Sequence, residues 1–242
     1  MTNTVRRMGL IGDVHAEHRR LDAALGFLFG QGVDSICCTG DIADGSGCVD
    51  TCCRLLADAD ARVVAGNHDR WLLADRLREI PDAHRLSQLN DTSRDYLAGL
   101  PTTRAIDTPL GSALLCHGVA DNDLRKVWPG SARMPIARSH ELDELIGGGS
   151  THFVFNGHLH YRVIVNFEQL TLLNAGTLKG EHRPGVSILD FSEGTVHAFE
   201  FFAALALHLV AEQPLRCDAG RRVWRDTLEF DSQWTPVTLY SA

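Results

Sequence analysis

The sequence predicts an α/β fold that begins with a parallel β-sheet. Three short apolar runs, Met8–Ile11, Ser35–Thr39 and Arg62–Ala65, each stop at a glycine, which is typical of buried strands that give way to loops. Two stretches with helical spacing, Leu21–Leu28 and Cys48–Ala59, separate these runs. Because a β-α-β-α-β order needs crossover connections, we expect three parallel strands whose carboxyl ends lie at one edge of the sheet.

The segment after the third strand predicts helices beside that edge. Apolar residues from Trp71 to Ile80 indicate one helix. Thr92–Asp95 resembles a capping box that opens another helix, which ends near Gly99. We therefore interpret residues 70–107 as a helical cap insertion within the same domain.

The second half of the chain predicts further strands and helices. We expect helices over Asp121–Trp128 and Arg138–Ile146, and an antiparallel meander over residues 162–202, where apolar runs alternate with turn residues. Residues 203–242 are interpreted as a C-terminal extension with a short helix and an edge strand over Val223–Phe230. No linker is visible, so residues 1–242 are predicted to form a single domain. The strands expected in this half are Ser112–Cys116, Phe153–Phe155, Val163–Phe167, Leu170–Leu173, Val186–Phe191 and Val196–Phe201.

Composition and charge restrict the classes of function. The chain of 242 residues has 44% hydrophobic residues, an ordinary value for a soluble globular protein. Its formal net charge of −8 argues against a broad basic surface for duplex nucleic acid. The longest apolar stretch, Phe201–Val210, is too short to cross a membrane, and the run after Arg6-Arg7 is too short for a signal peptide. The cysteines are interpreted as buried thiols, so we expect a cytoplasmic protein with no membrane partner.

Five short segments of the chain end in metal-binding side chains, and most of them directly follow a predicted strand. Ligands of open α/β sheets bind outside the carboxyl ends of the strands, so these segments predict one shared site. Carboxylate, imidazole and amide groups suit divalent metal ions, and a pair of such ions is suited to chemistry on phosphate. The segments are Gly12-Asp13-Val14-His15, Gly40-Asp41-Ile42-Ala43-Asp44, Gly66-Asn67-His68-Asp69, Cys116-His117-Gly118 and Gly157-His158-Leu159-His160.

These segments resemble, in the same order, the motifs of the calcineurin-like metallophosphoesterase superfamily. The family motifs read Asp-x-His, Gly-Asp-x-x-Asp, Gly-Asn-His-Asp/Glu, His and Gly-His-x-His, and here they extend from Asp13 to His160. The resemblance implies two mixed β-sheets packed face to face and flanked by helices. Gly45 follows Asp44, where protein serine/threonine phosphatases carry an arginine. The sequence is therefore most similar to the small bacterial and archaeal phosphodiesterase-like branch.

The resemblance implies a site for two divalent metal ions with one bridging carboxylate. The ions would be Mn, Fe, Zn, Co or Ni, because the ligand types do not distinguish among them. A hydroxide held between the ions would attack phosphorus in line. The implied ligands are Asp13, His15, Asp41 and His160 for the first ion, and Asp41, Asn67, His117 and His158 for the second.

Further residues carry roles that the resemblance implies. His68 would protonate the leaving oxygen of the substrate, and Asp44 would orient the His68 ring. Arg70, which follows the third motif, is a candidate substrate contact. So is Asn174, which opens an Asn-Ala-Gly-Thr turn similar to a turn found in small family members.

The implied function is hydrolysis of a small phosphomonoester, phosphodiester or nucleotide, and three alternatives stay open. A non-catalytic metal-binding scaffold on the same fold is disfavoured by His68, which silent relatives have lost. A protein serine/threonine phosphatase-like activity is disfavoured by Gly45, and a nuclease by the acidic net charge. The expected partner is a small phosphate ester. The oligomeric state is open, although an apolar face on the cap or the C-terminal strands could pair two subunits as a homodimer.

Overall fold

Two mixed β-sheets lie face to face with helices outside them in the computed structural model, which describes residues 4–216 and 220–241. This arrangement confirms the predicted fold class. Residues 1–3, 217–219 and 242 of the predicted domain lie outside the described residues. The strands are β1 (Arg7–Ile11), β2 (Ser35–Cys38), β3 (Arg62–Val63), β4 (Thr103–Thr108), β5 (Gly111–Cys116), β6 (Phe153–Asn156), β7 (Val163–Phe167), β8 (Thr171–Asn174), β9 (Gly185–Asp190), β10 (Thr195–Phe201), β11 (Leu207–Pro214), β12 (Val223–Trp224) and β13 (Val237–Thr238). The helices are α1 (His18–Gly30), α2 (Val49–Asp58), α3 (Asn67–Leu73), α4 (Asp91–Ala98) and α5 (His140–Gly148).

The first sheet contains the three parallel strands that the sequence predicts. Strands β1, β2 and β3 are parallel neighbours, and the strand order is β11-β10-β9-β1-β2-β3. Strands β9, β10 and β11 complete the sheet in antiparallel pairing. The carboxyl ends of β1, β2 and β3 therefore lie together at one edge, as predicted.

The second sheet brings its own parallel strands to the same region. Its order is β12-β7-β8-β6-β5-β4, with β13 also paired to β7, and β5, β6 and β8 run parallel. The Asp13 N–H, just after β1, donates to the carbonyl of Gly176, just after β8, at 3.1 Å. The Leu178 N–H donates to the Asp13 carbonyl at 2.8 Å. The carboxyl-end edges of the two sheets are thus joined.

Three apolar clusters stabilise these layers. The cluster between the sheets includes Leu10 of β1 together with Phe153 and Phe155 of β6. A second cluster covers the outer face of the first sheet, where the buried residues of α1 repeat every three or four positions and so share one face. A third covers the outer face of the second sheet, with Leu142 of α5 and Trp224 of β12. Removing this apolar surface from water is the main favourable contribution to folding.

Polar side chains mark the helix ends near the predicted positions. Asn90, and not Thr92, caps α4, because its side-chain oxygen accepts the N–H of Ser93 at 2.8 Å. Ser139 caps α5, and Gly149 ends that helix with a φ of 64°, which glycine adopts without strain. Among the helices of the described ranges, none has the length and apolar character needed to cross a membrane.

Two of the predicted helices are shortened or do not form. The helix expected from Trp71 to Ile80 ends at Leu73, because Asp75 takes a left-handed conformation with a φ of 50°. Asp121–Trp128 forms no helix: residues 121–124 lie in a turn, residues 125–127 are irregular, and Trp128 forms an isolated bridge with Ala137. There the Asn122 side-chain oxygen accepts a backbone N–H two residues later, an interaction that competes with helix formation.

The predicted meander is divided between the two sheets. Strands β7 and β8 form an antiparallel pair in the second sheet, whereas β9 and β10 pair in the first sheet. The chain crosses from one sheet to the other after β8, at Gly176, which has a φ of 76°. Apolar runs separated by turns predict strands but carry no information on which sheet each strand joins, so this interpretation was wrong.

The cap and the C-terminal extension also contain strands that the sequence analysis did not predict. Thr103–Thr108 forms β4, so the helical part of the cap ends before it. Leu207–Pro214 forms β11, after a single 3₁₀ turn at Ala203–Leu205 in the region where a short helix was expected. The edge strand expected over Val223–Phe230 is limited to Val223–Trp224. The extension thus contributes strands to both sheets.

A buried arginine connects the two sheets just after the motif that ends at His160. The Arg162 side chain is fully buried, and its guanidinium donates to Glu200 Oε1 at 3.1 Å and to the Phe199 carbonyl at 2.6 Å. The Arg162 N–H donates to the Tyr240 hydroxyl at 2.7 Å. The C-terminal extension therefore helps to hold the segment that follows His160.

We expect Glu200→Gln to lower the free energy of unfolding by about 3 kcal/mol, because it removes a counter-charge from the buried Arg162 guanidinium. Urea denaturation followed by tryptophan fluorescence measures this change. Arg54→Gln is the control, since it removes an exposed ion pair with Asp58 and should cost less than about 0.5 kcal/mol. Equally small effects of the two substitutions would contradict the structural role of Glu200.

Candidate metal centre and active site

All seven predicted metal ligands come together where the edges of the two sheets adjoin. One group of ligand atoms, all within 4.8 Å of one another, comes from Asp13, His15, Asp41 and His160. A second group within the same distance comes from Asp41, His117 and His158. The seventh predicted ligand, Asn67, lies beside this second group, with its Oδ1 3.0 Å from His117 Nε2.

The clusters share Asp41, which stands after β2 and faces both of them. Its Oδ2 lies 3.2 Å from His117 Nε2 in the second cluster, and its loop carries the residues that contact His15. Its Oδ1 accepts the N–H of His68 at 2.8 Å. Asp41 is thus the one residue that belongs to both candidate ligand groups of the described residues.

Five of the predicted site residues have a left-handed backbone conformation. The left-handed region is occupied by His15 (φ 46°), Asp41 (46°), Asp44 (62°), His158 (67°) and His160 (53°). Residues other than glycine rarely adopt this backbone conformation, and residues that are held in it cluster at functional sites. The sheets and their apolar cores therefore hold these five residues in conformations that local preferences disfavour.

Glycines in the motifs allow the ligands to approach the backbone closely. A Cβ on Gly157 would collide with the Asp13 carboxylate and with Thr39. A Cβ on Gly66 would collide with the carboxylate and the backbone nitrogen of Asp41. These two positions require glycine because the carboxylates of Asp13 and Asp41, two predicted ligands, occupy the space of a side chain.

Two histidine rings are fixed by backbone carbonyls so that one nitrogen faces the cluster. His15 Nδ1 lies 2.9 Å from the Asp44 carbonyl, and His117 Nδ1 lies 2.8 Å from the Thr39 carbonyl. Since a carbonyl only accepts, each Nδ1 carries the proton and each Nε2 points to the ligand group. Orienting the ring through its second nitrogen is the usual way in which proteins prepare a metal-binding histidine.

The facing ligand atoms form an arrangement that a cation would stabilise. His15 Nε2 lies 2.8 Å from His160 Nε2, which in turn lies 3.1 Å from Asp13 Oδ2. Lone pairs this close repel unless a proton or a metal ion lies between them. Nitrogen ligands mixed with carboxylate and amide oxygens suit divalent transition metals. The residues present therefore fit the two ions that the motifs imply.

The carboxylates around His117, in the second cluster, control its protonation. Burial would lower the pKa of His117, but the Asp41 and Asp13 carboxylates raise it to about 10. Burial would likewise raise the pKa of Asp41, but His117 holds it well below its ordinary value. In the metal-free protein His117 is thus a cation, and a metal ion must displace its Nε2 proton to bind.

His68 and Asp44 form a hydrogen-bonded pair beside the first cluster. His68 Nδ1 lies 2.7 Å from Asp44 Oδ2, and His68 Nε2 lies 4.0 Å from Asp41 Oδ2. Burial would lower the pKa of His68, but the hydrogen bond with Asp44 and the charge of Asp41 raise it above its ordinary value. The ring therefore keeps its proton to a higher pH than a free histidine, and its Nε2 faces Asp41 of the ligand clusters.

Asp44 is itself held by His84 of the cap, a residue that the sequence gives no reason to select. The His84 N–H donates to Asp44 Oδ1 at 2.8 Å, and the Asp44 N–H donates to His84 Nδ1 at 3.2 Å. The Gly45 N–H also donates to the Asp82 carbonyl at 3.0 Å. The contact joins residues 40 apart along the chain, so no spacing signal indicates it.

Asp69, whose role the motif leaves undefined, supports the bridging loop. Its Oδ1 accepts the N–H groups of Ile42 and Ala43 at 2.8 and 3.0 Å, and its Oδ2 accepts the Gly66 N–H at 3.0 Å. The side chain is fully buried. Asp69 therefore ties the loop after Asp41 to the start of α3.

The two candidate substrate contacts are engaged elsewhere. Arg70 forms a two-point ion pair with Asp123, with nitrogen–oxygen distances of 2.6 and 2.9 Å. Asn174 is fully buried, and its amide donates to the Gly157 carbonyl and to Asn156. Arg70 thus holds the loop after β5 against α3, and Asn174 supports the loop that carries His158. These contacts give both side chains structural roles.

A family model for the calcineurin-like phosphoesterase superfamily domain matches residues 7–194. The chain belongs to this superfamily. The match includes every predicted ligand together with His68 and Asp44, so the resemblance stated from the motifs is confirmed. Members of the superfamily depend on divalent metals, in agreement with the two clusters. No curated protein matches the chain in sequence.

Solved structures share this fold over most of their length. A metallophosphoesterase from Sphaerobacter thermophilus is 23% identical, and the match covers 87% of this chain and 90% of that one with a TM-score of 0.57. Yfce, a phosphoesterase from E. coli, is 14% identical, and the match covers 87% of this chain and 100% of that one with a TM-score of 0.53. A novel archaeal phosphodiesterase is 14% identical, and the match covers 81% of this chain and 99% of that one with a TM-score of 0.51. At these identities the similarity concerns the fold alone.

We expect the affinity of the metal-free protein for Mn²⁺ to rise with pH above 6.5, by up to about tenfold per unit. The sign follows from His117, which stays protonated below its raised pKa of about 10, so the metal competes with that proton. Calorimetry in two buffers with different ionisation enthalpies measures the protons released. His117→Gln should weaken this dependence, whereas His140→Gln, at the exposed start of α5, should not. Affinity independent of pH in the unmodified protein would contradict the assignment.

Proposed function

We propose that this protein is a binuclear metal-dependent phosphoesterase that hydrolyses a small phosphate ester. The observation that carries the proposal is the pair of ligand clusters that share the Asp41 carboxylate. Asp13, His15, Asp41 and His160 would hold one ion, and Asp41, Asn67, His117 and His158 the other. A small phosphomonoester, phosphodiester or nucleotide is the substrate class that the family and its solved members support.

When bound, the two ions would supply the nucleophile for in-line attack by lowering the pKa of water, and would neutralise charge on the phosphate. The chain's own contribution is to hold the ligands rigidly. Asp13 receives the His158 N–H at 2.9 Å and the Thr39 hydroxyl at 3.1 Å, so its carboxylate cannot rotate freely. Ligands that do not reorganise during the reaction stabilise its transition state more effectively.

His68 would act as the general acid of this reaction. Its Nδ1 is held by Asp44, which leaves Nε2–H as the proton to be donated to the leaving oxygen of the ester. Asp44 is oriented in turn through the two hydrogen bonds with His84. The proton is retained on His68 because the two nearby carboxylates favour the charged ring.

Location and domain organisation are part of the same proposal. Five cysteines of the described residues are buried free thiols, which is usual for a protein of a reducing compartment and supports a cytoplasmic location. A single domain that includes a cap remains our prediction for the whole chain. The buried free cysteines are Cys37, Cys38, Cys52, Cys53 and Cys116.

Hydrolysis of p-nitrophenyl phosphate, of bis(p-nitrophenyl) phosphate and of a panel of nucleotides, each with added Mn²⁺, tests the function. We expect phosphate or p-nitrophenol release that chelation abolishes and Mn²⁺ restores. Metal-loaded protein that is inert towards every compound would favour the alternative of a metal-binding scaffold. The panel should include a single-stranded oligonucleotide, because cleavage there alone would favour a nuclease.

We expect His68→Asn to lower kcat by about 10²–10⁴-fold while bound metal stays near the level of the unmodified protein, since the side chain donates a proton and binds no ion. Steady-state kinetics and elemental analysis of the same samples measure both quantities. His140→Asn, an exposed histidine outside the site, is the matched control and should change neither. Loss of metal together with activity in His68→Asn would instead make this residue a ligand.

A further inference from the structure

An arginine of the cap is held beside the proposed proton donor by an aromatic ring. The Arg78 guanidinium carbon lies 4.1 Å from the centre of the Trp71 ring, within the range of a cation–π contact. The same ring makes an edge contact with His68, with ring centres 5.2 Å apart. The Trp71 ring therefore contacts both the Arg78 guanidinium and His68, the proposed proton donor.

Arg78 lacks an ionic partner among the described residues. No carboxylate of those residues lies within ion-pair distance of it, although the chain carries 31 acidic residues and a net charge of −8. Arg70, which contacts the same ring, is neutralised by Asp123. The buried Nε1–H of Trp71 also has no acceptor in the described part of the chain. A half-buried cation is thus left without a counter-charge among the described residues.

Arg78 is held more closely than Arg76 at the Trp71 ring. Its guanidinium carbon lies 4.1 Å from the ring centre and its residue is half-buried. Arg76 also lies over the ring, at 5.5 Å, but it is an exposed residue. Arg78 is therefore the better ordered of these two cations beside His68.

We propose that Arg78 binds the non-reacting oxygens of the substrate phosphate and makes the enzyme favour phosphomonoesters over phosphodiesters. The inference rests on the proposed function and specifies its substrate class. A monoester phosphate carries a charge of about −1.5 to −2 at pH 7, whereas a diester carries −1. A guanidinium can donate two parallel hydrogen bonds to phosphate oxygens, and it stabilises the more highly charged ester more strongly.

Rates for a matched pair of esters test the inference. In Mn²⁺-loaded protein near pH 8, Arg78→Gln should lower kcat/KM for p-nitrophenyl phosphate by about 10–100-fold, the range expected for charged hydrogen bonds. The value for bis(p-nitrophenyl) phosphate should fall less than about threefold. Arg78→Lys should keep part of the monoester rate, since lysine keeps the positive charge but cannot donate two parallel hydrogen bonds. Arg76→Gln is the matched control and should leave both substrates unchanged.

Binding of inorganic phosphate gives a readout that does not depend on turnover. Calorimetry with Mn²⁺-loaded protein should show phosphate affinity at least about tenfold weaker in Arg78→Gln and unchanged in Arg76→Gln. Suppose that the unmodified protein hydrolyses esters, and that Arg78→Gln has the same ester preference and the same phosphate affinity. This result would overturn the inference about Arg78 but not the proposed function. If the unmodified protein hydrolyses neither ester, the proposed function fails, and the phosphate titration still decides whether Arg78 binds the anion. Should Arg78→Gln fold poorly, Arg78→Ala also removes the charge, and unchanged ester preference and phosphate affinity in that variant would likewise overturn the inference.

Discussion

The Asp41 carboxylate is the one group that both ligand clusters share, and the positions of the other ligands depend on it. Its backbone is held in the left-handed region, and Asp69 fixes the two residues that follow it through their N–H groups. Its Oδ1 also accepts the N–H of His68. A small displacement of this loop would therefore separate the clusters and move the acid at the same time, and errors of about 1 Å in such sites cost orders of magnitude in rate.

The site destabilises the chain that carries it unless its charges are compensated. Asp13 and Asp41 are completely or almost completely buried, and buried carboxylates need donors or cations around them. Backbone N–H groups and the proton on His117 provide this compensation in the metal-free state. A bound metal ion would replace that proton and, by binding only the folded state, would stabilise the fold. The apolar layers behind the strands supply the remaining stability that such a site requires.

The sequence predicted which side chains come together better than it predicted the structure around them, for a physical reason. The candidate ligands from Asp13 to His160 mostly follow strong apolar runs, so both their strands and their common edge could be inferred. Strand β11 was missed because it is an edge strand whose residues, such as Leu209, are largely exposed. The turn at Asn122 was interpreted as a helix because a side-chain hydrogen bond to nearby backbone is invisible to periodicity. His84 and Arg78 act through contacts set by the folded cap, which no local spacing encodes.

The cap and the C-terminal extension both contact residues next to the candidate ligands. His84 of the cap contacts Asp44, Arg78 packs on the Trp71 ring, and Tyr240 supports the segment after His160. The proposed binuclear site itself rests on the Asp41 carboxylate that both ligand clusters share. Anomalous X-ray diffraction from crystals grown with Mn²⁺ measures that geometry directly. We expect two peaks about 3.5–4 Å apart with the Asp41 carboxylate between them. A single peak, or peaks remote from Asp41, would contradict the binuclear site.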